Sequence, residues 1–433
     1  MGYFETYGNI ARQSNDLSPE DFKRFGVKVG LRNEDGTGVL VGLTRISSVV
    51  GYEKTEDRVI PVPGRLIYRG HDVEELVSRP LNRRHLAFEE SAFLLYFGHL
   101  PSAAEFELFL STLGDMRDLP LNFCRDVLMT FRTRNIMNAL GRAILTLYSI
   151  DENPEELSLG NQVRQAMTML ARFGTLTAYS YHAIQQAFHG RSLYIHAPDP
   201  KLSTAENFLR LLRPAADFTE LEARTLDVCL VLHADHGGGN NSTFSTRVLT
   251  STLTDFYSAV GAAVGSLKGP LHGGANQKVV EMMDDLRAQA GPRPTREAVR
   301  AYLLALLSGA AFDRLGKIYG LGHAVYTLTD PRTLVLRDYA RRLAEEKGRV
   351  ADFELYAMVE ELAPDVFQEH KRSDRSICVN VDFYSGFVYE CLGIPREVFT
   401  PLFAIARVAG WAAHRLEVLS NPVKIMRPAF RTL

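Results

Sequence analysis

Three short segments of this chain set a titratable side chain among residues that expose it. In Ser266-Leu-Lys-Gly-Pro-Leu-His272-Gly-Gly-Ala-Asn276 a histidine sits in a turn made mostly of Gly and Pro, and an amphipathic helical pattern, Gln277 to Arg287, follows directly. Gly lets the backbone approach a ligand closely, and a helix N-terminus presents free N–H groups. The same N-terminus disfavours imidazolium, so the ring is expected to be neutral and suited to donating a hydrogen bond to a developing oxyanion. The second segment is Gly320-Leu-Gly-His323-Ala-Val-Tyr-Thr-Leu-Thr-Asp330-Pro-Arg332 and the third is Asn380-Val-Asp382-Phe-Tyr-Ser-Gly386. Two histidines and a carboxylate on three separate loops suit proton transfer at a carbon next to a carbonyl. The carboxylate would remove the proton, one neutral His would stabilise the enolate oxygen, and the other would polarise a second carbonyl. Plainer readings exist: His272 as a structural loop residue, and Asp382 as an Asx-turn residue capping the following segment.

Positioning such groups needs a framework, and the pattern of the chain supplies a mainly helical one. Gly38 to Val50 and Arg58 to Tyr68 are rich in β-branched residues and broken by Gly and Pro, which predicts short strands. From about Leu86 the periodicity turns helical, as in Phe88 to Gly98, Ser102 to Leu113, Glu156 to Gln186, Leu221 to His233 and Arg296 to Lys317. Leu100-Pro101, Gly291-Pro-Arg-Pro and Asp330-Pro331 separate them. Ala166 to Gln186, rich in Ala, Leu and Tyr, reads as buried in an all-helical core. The expectation is a mainly α protein with a short N-terminal β decoration.

Bulk properties exclude several classes. With 433 residues the chain can bury a large core and form more than one domain. The 49 Lys plus Arg against 51 Asp plus Glu give a formal net charge of -2, so no global basic field argues for nucleic acid. No basic-then-apolar N-terminal segment and no apolar run of spanning length occurs, so neither a signal peptide nor a membrane span is expected. Gly2 with Thr6 matches a myristoylation pattern, read here as chance. Cys124, Cys229, Cys378 and Cys391 are far apart and read as buried thiols in a reducing, cytoplasmic compartment. His233-Ala-Asp-His236 invites a metal reading, but no Glu motif or Cys pair completes it, so no metal is expected and His233 reads as a helix-end structural residue.

Taken together, in this order and spacing, the three segments resemble the citrate synthase family. The likeness extends to Leu232-His-Ala-Asp-His236-Gly-Gly-Gly-Asn240, to Phe403-Ala-Ile-Ala-Arg407, to Arg427-Pro428 and to Gly64-Arg-Leu-Ile-Tyr-Arg-Gly-His71, nearly the whole chain. The resemblance implies a two-domain helical fold, with residues 1–274 and 382–433 in a large domain and residues 275–381 inserted as a small one. It implies an acyltransferase that condenses acetyl-CoA with oxaloacetate and water to citrate and CoA, with acetyl-CoA as co-substrate and no permanently bound cofactor. Asp382 then matches the base, His272 the donor to the enolate, and His323 the residue that polarises the oxaloacetate carbonyl. Arg332, Arg407 and Arg427 match carboxylate-binding arginines, with Arg427 reaching in from the partner of a homodimer whose active sites are shared. His236 and Asn240 match further substrate contacts. Gly320, Leu321 and Gly322 match the loop that cradles the adenine of CoA through its backbone, and Lys317 stands just before it. Apart from the resemblance, a lone Arg407 inside an apolar helical run calls for an anionic partner.

Three departures from the family pattern stand out. Thr327 occupies a position that commonly carries Lys or Arg, so Lys371, Arg372 and Arg375, or Lys317, are expected to supply the charge for the CoA phosphates. His236 is followed by Gly-Gly-Gly-Asn rather than a shorter spacing, and the chain ends five residues after Pro428. Two other functions remain open: 2-methylcitrate synthesis from propionyl-CoA, and a catalytically silent scaffold. The absence of a G-x-S-x-G elbow and of a P-loop speaks against a serine hydrolase and an ATP-dependent variant.

Overall fold

Local capping signals define the helices. Ser102 with Glu105, Ser203 with Glu206 and Thr219 with Glu222 each form a reciprocal capping box, which satisfies free N–H groups of the first turn. Asp330 caps a helix that begins on Pro331, a residue with no amide hydrogen to lose there. The resulting architecture, seen in a computed structural model, is mainly helical with one small sheet. It describes residues 2–33, 35–55, 58–79, 86–372 and 376–433.

Two compact units divide the chain. Met1–Gly42 with Arg427–Leu433 forms the smaller. It holds the helices Tyr3–Ser14 and Pro19–Arg24, neither of which buries a residue, and the Arg431 guanidinium lies 5.3 Å from the centre of the Phe25 ring.

Leu43–Met426 forms the larger unit. Its core is built around the helices Leu159–His189 and Phe399–Leu419, which are buried along most of their lengths, with Phe173, Phe208 and Trp411 among the fully buried side chains. The sheet is the antiparallel hairpin β1 (Ser47–Lys54) and β2 (Val59–Tyr68), with the two-residue β3 (His71–Asp72) on β2. The expected strand from Gly38 begins only at Ser47, because Leu40 to Thr44 are exposed and have no pairing partner. The expected helix from Arg296 ends at Leu307, where Gly309 takes φ +71° and breaks the run before Lys317.

The hairpin lies against the chain that follows His323. A Cβ on Gly64 would come within 2.1 Å of the Thr329 carbonyl oxygen, so only glycine lets β2 pass there. The Gly64 amide donates to Thr329 Oγ1 (3.1 Å), and Tyr326 Oη donates to the Arg65 carbonyl (3.3 Å). A second close approach joins the helices Ala275–Ala290 and Val381–Cys391: a Cβ on Gly386 would sit 2.8 Å from the Asn276 carbonyl oxygen. This contact brings the helix after His272 against the helix that carries Asp382.

Candidate active site

Asp382 occupies the second position of the Val381–Cys391 helix. The capping residue is Asn380, not Asp382: its Oδ1 accepts from the Asp382 amide (3.0 Å), and its Nδ2 donates to the Gly322 carbonyl (2.7 Å). Leu321 and Val379 pair as an isolated antiparallel bridge, with Gly322 N–H donating to Cys378 O and Asn380 N–H to Gly320 O, each at 2.8 Å. Backbone thus locks the glycine-rich segment before His323 to the segment before Asp382. Burial pushes the Asp382 carboxyl up to about 6, a shift that nearby Arg332 and Arg407 only partly offset. A carboxylate with that value is a stronger base than an ordinary aspartate and is still mostly ionised at neutral pH.

Asp330 ties the same region together. Its carboxylate accepts from Arg332 N (3.0 Å), Nε (3.0 Å) and Nη2 (2.7 Å), and from the Val381 amide (3.2 Å). Burial works against the Arg332 charge, yet Asp330 raises its pKa above the ordinary arginine value. The guanidinium also lies 5.6 Å from the centre of the Tyr326 ring.

His323 Nδ1 accepts from the amides of Val325 (3.0 Å) and Tyr326 (3.1 Å). Both are obligate donors, so in the neutral ring the proton sits on Nε2. The ring stacks on Tyr326 at 4.6 Å between centroids and meets the His236 ring edge-on at 5.0 Å. Burial, together with Arg332, drives the His236 pKa well below its usual value, so that ring is neutral. Its Nε2 is buried without a protein partner.

His272 precedes the Ala275–Ala290 helix, as expected. Its Nε2 lies 3.0 Å from Ser242 Oγ and 3.4 Å from the Ser242 amide, a donor only, which favours the tautomer with its proton on Nδ1. Ser242 Oγ also accepts from Trp411 Nε1 (3.1 Å) and lies 2.9 Å from Asn240 Oδ1. Burial, followed by the positive charge of Arg407, pushes the His272 pKa down to about 4. The loop is anchored by Thr400 Oγ1, which donates to the Gly273 carbonyl (2.8 Å).

Arg407 is fully buried in the Phe399–Leu419 helix. Nε donates to the His233 carbonyl (2.6 Å), the guanidinium packs 4.6 Å over the Phe403 ring, and Nη1 has no partner. Burial lowers its pKa to about 10, so it remains a cation. An unpartnered cationic N–H in such a place is a strong indication of an anionic ligand. Arg407 lies close enough to act electrostatically on His236, His272 and Asp382, and Arg332 on His236 and Asp382, so these residues are near neighbours. His233, at the end of the Glu220–His233 helix, is held by Nδ1 on the Cys229 carbonyl (2.8 Å), a structural contact.

Asp235 organises the turn that carries His236. It accepts from Ser47 Oγ and from the Gly237 amide (3.0 Å), and His414 Nε2 lies 3.3 Å away. Burial opposes its charge, but His414 and Arg407 hold its pKa well below the carboxylate range. Tyr68 Oη sits among Val231 O (2.9 Å), Asp235 O (3.0 Å) and Asp235 N (3.1 Å).

A cleft of about 480 Å³ opens beside the His272 loop. Lys317, Gly320, Leu321 and Gly322 line it, and so does Lys278, which the sequence reading missed. Phe367 also lines it, and Lys371 and Arg372 follow one turn later at the exposed end of the Val350–Lys371 helix. Arg375 lies outside the described residues. Thr327 Oγ1 is buried without a partner. Arg427 belongs to the smaller unit and is exposed. Ser242, Tyr326 and Phe403 were also missed. Phe403 had a readable signal, since it precedes Arg407 by four residues and shares its helix face.

Residues 32–429 match the family described as citrate synthase, C-terminal domain. A citrate synthase of Deinococcus radiodurans is 37% identical over 84% of this chain and 88% of that protein. A 2-methylcitrate synthase of Shewanella oneidensis is 33% identical over 84% of this chain and 87% of that protein. The crystal structure of citrate synthase from Thermotoga maritima superposes with a TM-score of 0.72 at 31% identity, over 92% of this chain and 94% of that one.

Proposed function

This chain belongs to the citrate synthase family, and from that premise we propose that its cleft condenses acetyl-CoA with oxaloacetate and water to citrate and CoA. The observation that carries the assignment of roles is the company Asp382 keeps: Asn380 ties the start of its helix to the Gly322 carbonyl beside His323, and Asp330 ties Arg332 to the Val381 amide.

The thioester methyl is a very weak acid, so its proton leaves only if a base and an oxyanion donor act together. Asp382 takes the proton, and His272, neutral with its pKa near 4, donates a hydrogen bond to the enolate oxygen. A charged imidazolium would be no better placed, because burial and Arg407 already disfavour it. Oxaloacetate lies with its carboxylates toward Arg332 and Arg407, and His236 and Asn240 complete its binding. His323, with its proton on Nε2, polarises the ketone and protonates the alkoxide once the enolate carbon has attacked. Water then cleaves the thioester and releases CoA.

Residues 275–381 act as a small inserted domain that closes over the acyl-CoA. Lys317 and Lys278 hold the CoA phosphates, with Gly320, Leu321 and Gly322 against the adenine, and Lys371, Arg372 and Arg375 are further candidates for that charge. The protein works as a homodimer in which Arg427 completes the partner's site. A reducing, cytoplasmic location suits the four free cysteines.

Steady-state rates with acetyl-, propionyl- and butyryl-CoA against oxaloacetate test the substrate. Acetyl-CoA should give the highest kcat/KM. A higher value for propionyl-CoA would make this a 2-methylcitrate synthase, and the absence of CoA release with all three would leave a silent scaffold.

A further inference from the structure

A second cavity, of about 1050 Å³, lies at the C-terminal end of the Phe399–Leu419 helix, where Leu416, Glu417 and Val418 form part of its wall. Glu417 is ten residues beyond Arg407, about 15 Å along a helix axis, and none of the residues assigned to catalysis or to CoA lines this space. Its charge is unbalanced. Arg45, Arg69, Arg247 and Lys424 line it, against the single carboxylate of Glu417. That carboxylate is already engaged, accepting from the Arg45 amide (2.6 Å) and from Arg247 Nη1 (2.7 Å). Arg69 places Nε and Nη2 on the Leu95 carbonyl (3.2 and 3.0 Å). Tyr96, another wall residue, is only 6% exposed, and its Oη is buried with no partner. A buried hydroxyl without a partner costs free energy unless a ligand answers it, and the cations around this open space favour an anion there. Planar guanidinium forks match the oxygens of a phosphate.

The cavity is also wired to the catalytic cleft. Arg247 Nη1 lies 2.9 Å from His414 Nδ1, and His414 Nε2 lies 3.3 Å from Asp235, which holds the turn leading to His236. Gly238, two residues after His236, borders this pair: a Cβ there would lie in ordinary contact with His414 Cε1 (3.6 Å) and Arg247 Cδ (3.7 Å). Arg247 therefore faces the cavity at one end of the chain of contacts, and Asp235 faces the substrate turn at the other.

We propose that this cavity binds a small phosphate-class polyanion, and that its occupancy weakens oxaloacetate binding by drawing Arg247 off His414 and loosening the Asp235–His236 turn. The coupling half of this inference rests on the proposed oxaloacetate site, whereas the binding half does not. The ligand class follows from the cations and the open volume, which leaves room for an anion.

Calorimetry with inorganic pyrophosphate tests the site directly, using the full chain saturated with CoA so that the CoA phosphate contacts are filled. One pyrophosphate per chain should bind, more tightly than monophosphate. The double variant Arg45→Glu with Lys424→Glu reverses two exposed charges and leaves the fold and the basal kcat alone. It should lose pyrophosphate affinity by at least about tenfold. No binding heat, or an unchanged affinity in the double variant, would overturn the site. In the same preparation, saturating pyrophosphate should raise the oxaloacetate KM several-fold at constant kcat in the wild type but not in the double variant. Binding without any change in that KM would overturn the coupling and leave the site standing. A protein that binds pyrophosphate yet turns over no oxaloacetate would refute the catalytic reading instead.

Discussion

The two halves of the cleft are built on different principles. The half proposed for oxaloacetate is a closed lattice of polar contacts: Asp330 grips Arg332, Asp235 is held by Ser47 and His414, and Arg407 is fixed on the His233 carbonyl. The half proposed for acyl-CoA is made from backbone and glycine, with Gly320 to Gly322 bridged to Cys378 to Asn380 and the His272 loop pinned by Thr400. A small dianion needs fixed point charges, and preorganised charges cost nothing to arrange when substrate arrives. A long flexible thioester needs a surface that can admit it and close, for which glycine and exposed lysines are better suited. The difference predicts that changes in the first half act strongly and locally, whereas changes in the second act weakly and through KM.

The sharpest test falls on the residue between the halves. Asp382→Asn keeps the shape and removes the base, so kcat should fall by about 10²–10⁴ with oxaloacetate binding little changed. In the wild type, kcat/KM should rise with pH through about 6 and then level, since the ionised form is the base. The stability sign is opposite. A carboxyl raised in the folded state binds its proton more tightly there than when unfolded, so folding loses stability as pH rises from the unfolded value toward 6. At neutral pH the Asn variant should therefore be more stable, by roughly 1–3 kcal/mol, as a denaturant titration would read. Near-normal turnover, or a less stable protein, would break the assignment.

Arg407→Met probes the closed half. Truncating one side of a buried charged contact costs on the order of 2–5 kcal/mol of binding, so the oxaloacetate KM should rise by about 30-fold or more. The free protein should lose little stability, because a buried cation that leaves Nη1 without a partner and has only the His233 carbonyl and the Phe403 ring to hold it is being replaced by an apolar side chain of similar volume. A loss of stability with an unchanged KM would make Arg407 a structural ion.

How much of this could be read from the sequence depended on what signalled each residue. His272, His323 and Asp382 were legible because Gly, Pro and Asn mark the turns that expose them. The helices were legible from their caps and periodicity, except where Gly309 ended one early. The role of the hairpin was not legible: nothing local says that Gly64 abuts Thr329, or that Ser47 and Tyr68 hold Asp235 from 188 and 167 residues away. Ser242, His414 and Lys278 were missed for the same reason, since each is ordinary in its own helix and acquires meaning only from what tertiary packing sets beside it.

Arg427 tests whether the closed half is complete in one chain. Arg427→Ala should raise the oxaloacetate KM by about tenfold. Mixing Arg427→Ala with Asp382→Asn subunits gives the decisive readout. If Arg427 acts in trans, a heterodimer holds one site with both defects and one with neither, and activity returns on exchange. If it acts in cis, every site keeps a defect, and proven exchange without recovery would assign Arg427 to its own subunit.

The smallest effect is expected in the open half. Lys278 pairs with Glu281 at 2.7 Å and lies 5.4 Å from the centre of the Phe312 ring, so it stands over the cleft as a partly neutralised charge. Lys317 faces the same space. Exposed charge pairs are each worth about 0.2–1 kcal/mol, so Lys278→Ala and Lys317→Ala should each raise the acetyl-CoA KM by about two- to fivefold at constant kcat. The effect should shrink at high salt, where such contacts are screened. A variant that lowered kcat instead would place its lysine in the chemistry, and the contrast between a rigid half and a yielding one would have to be redrawn.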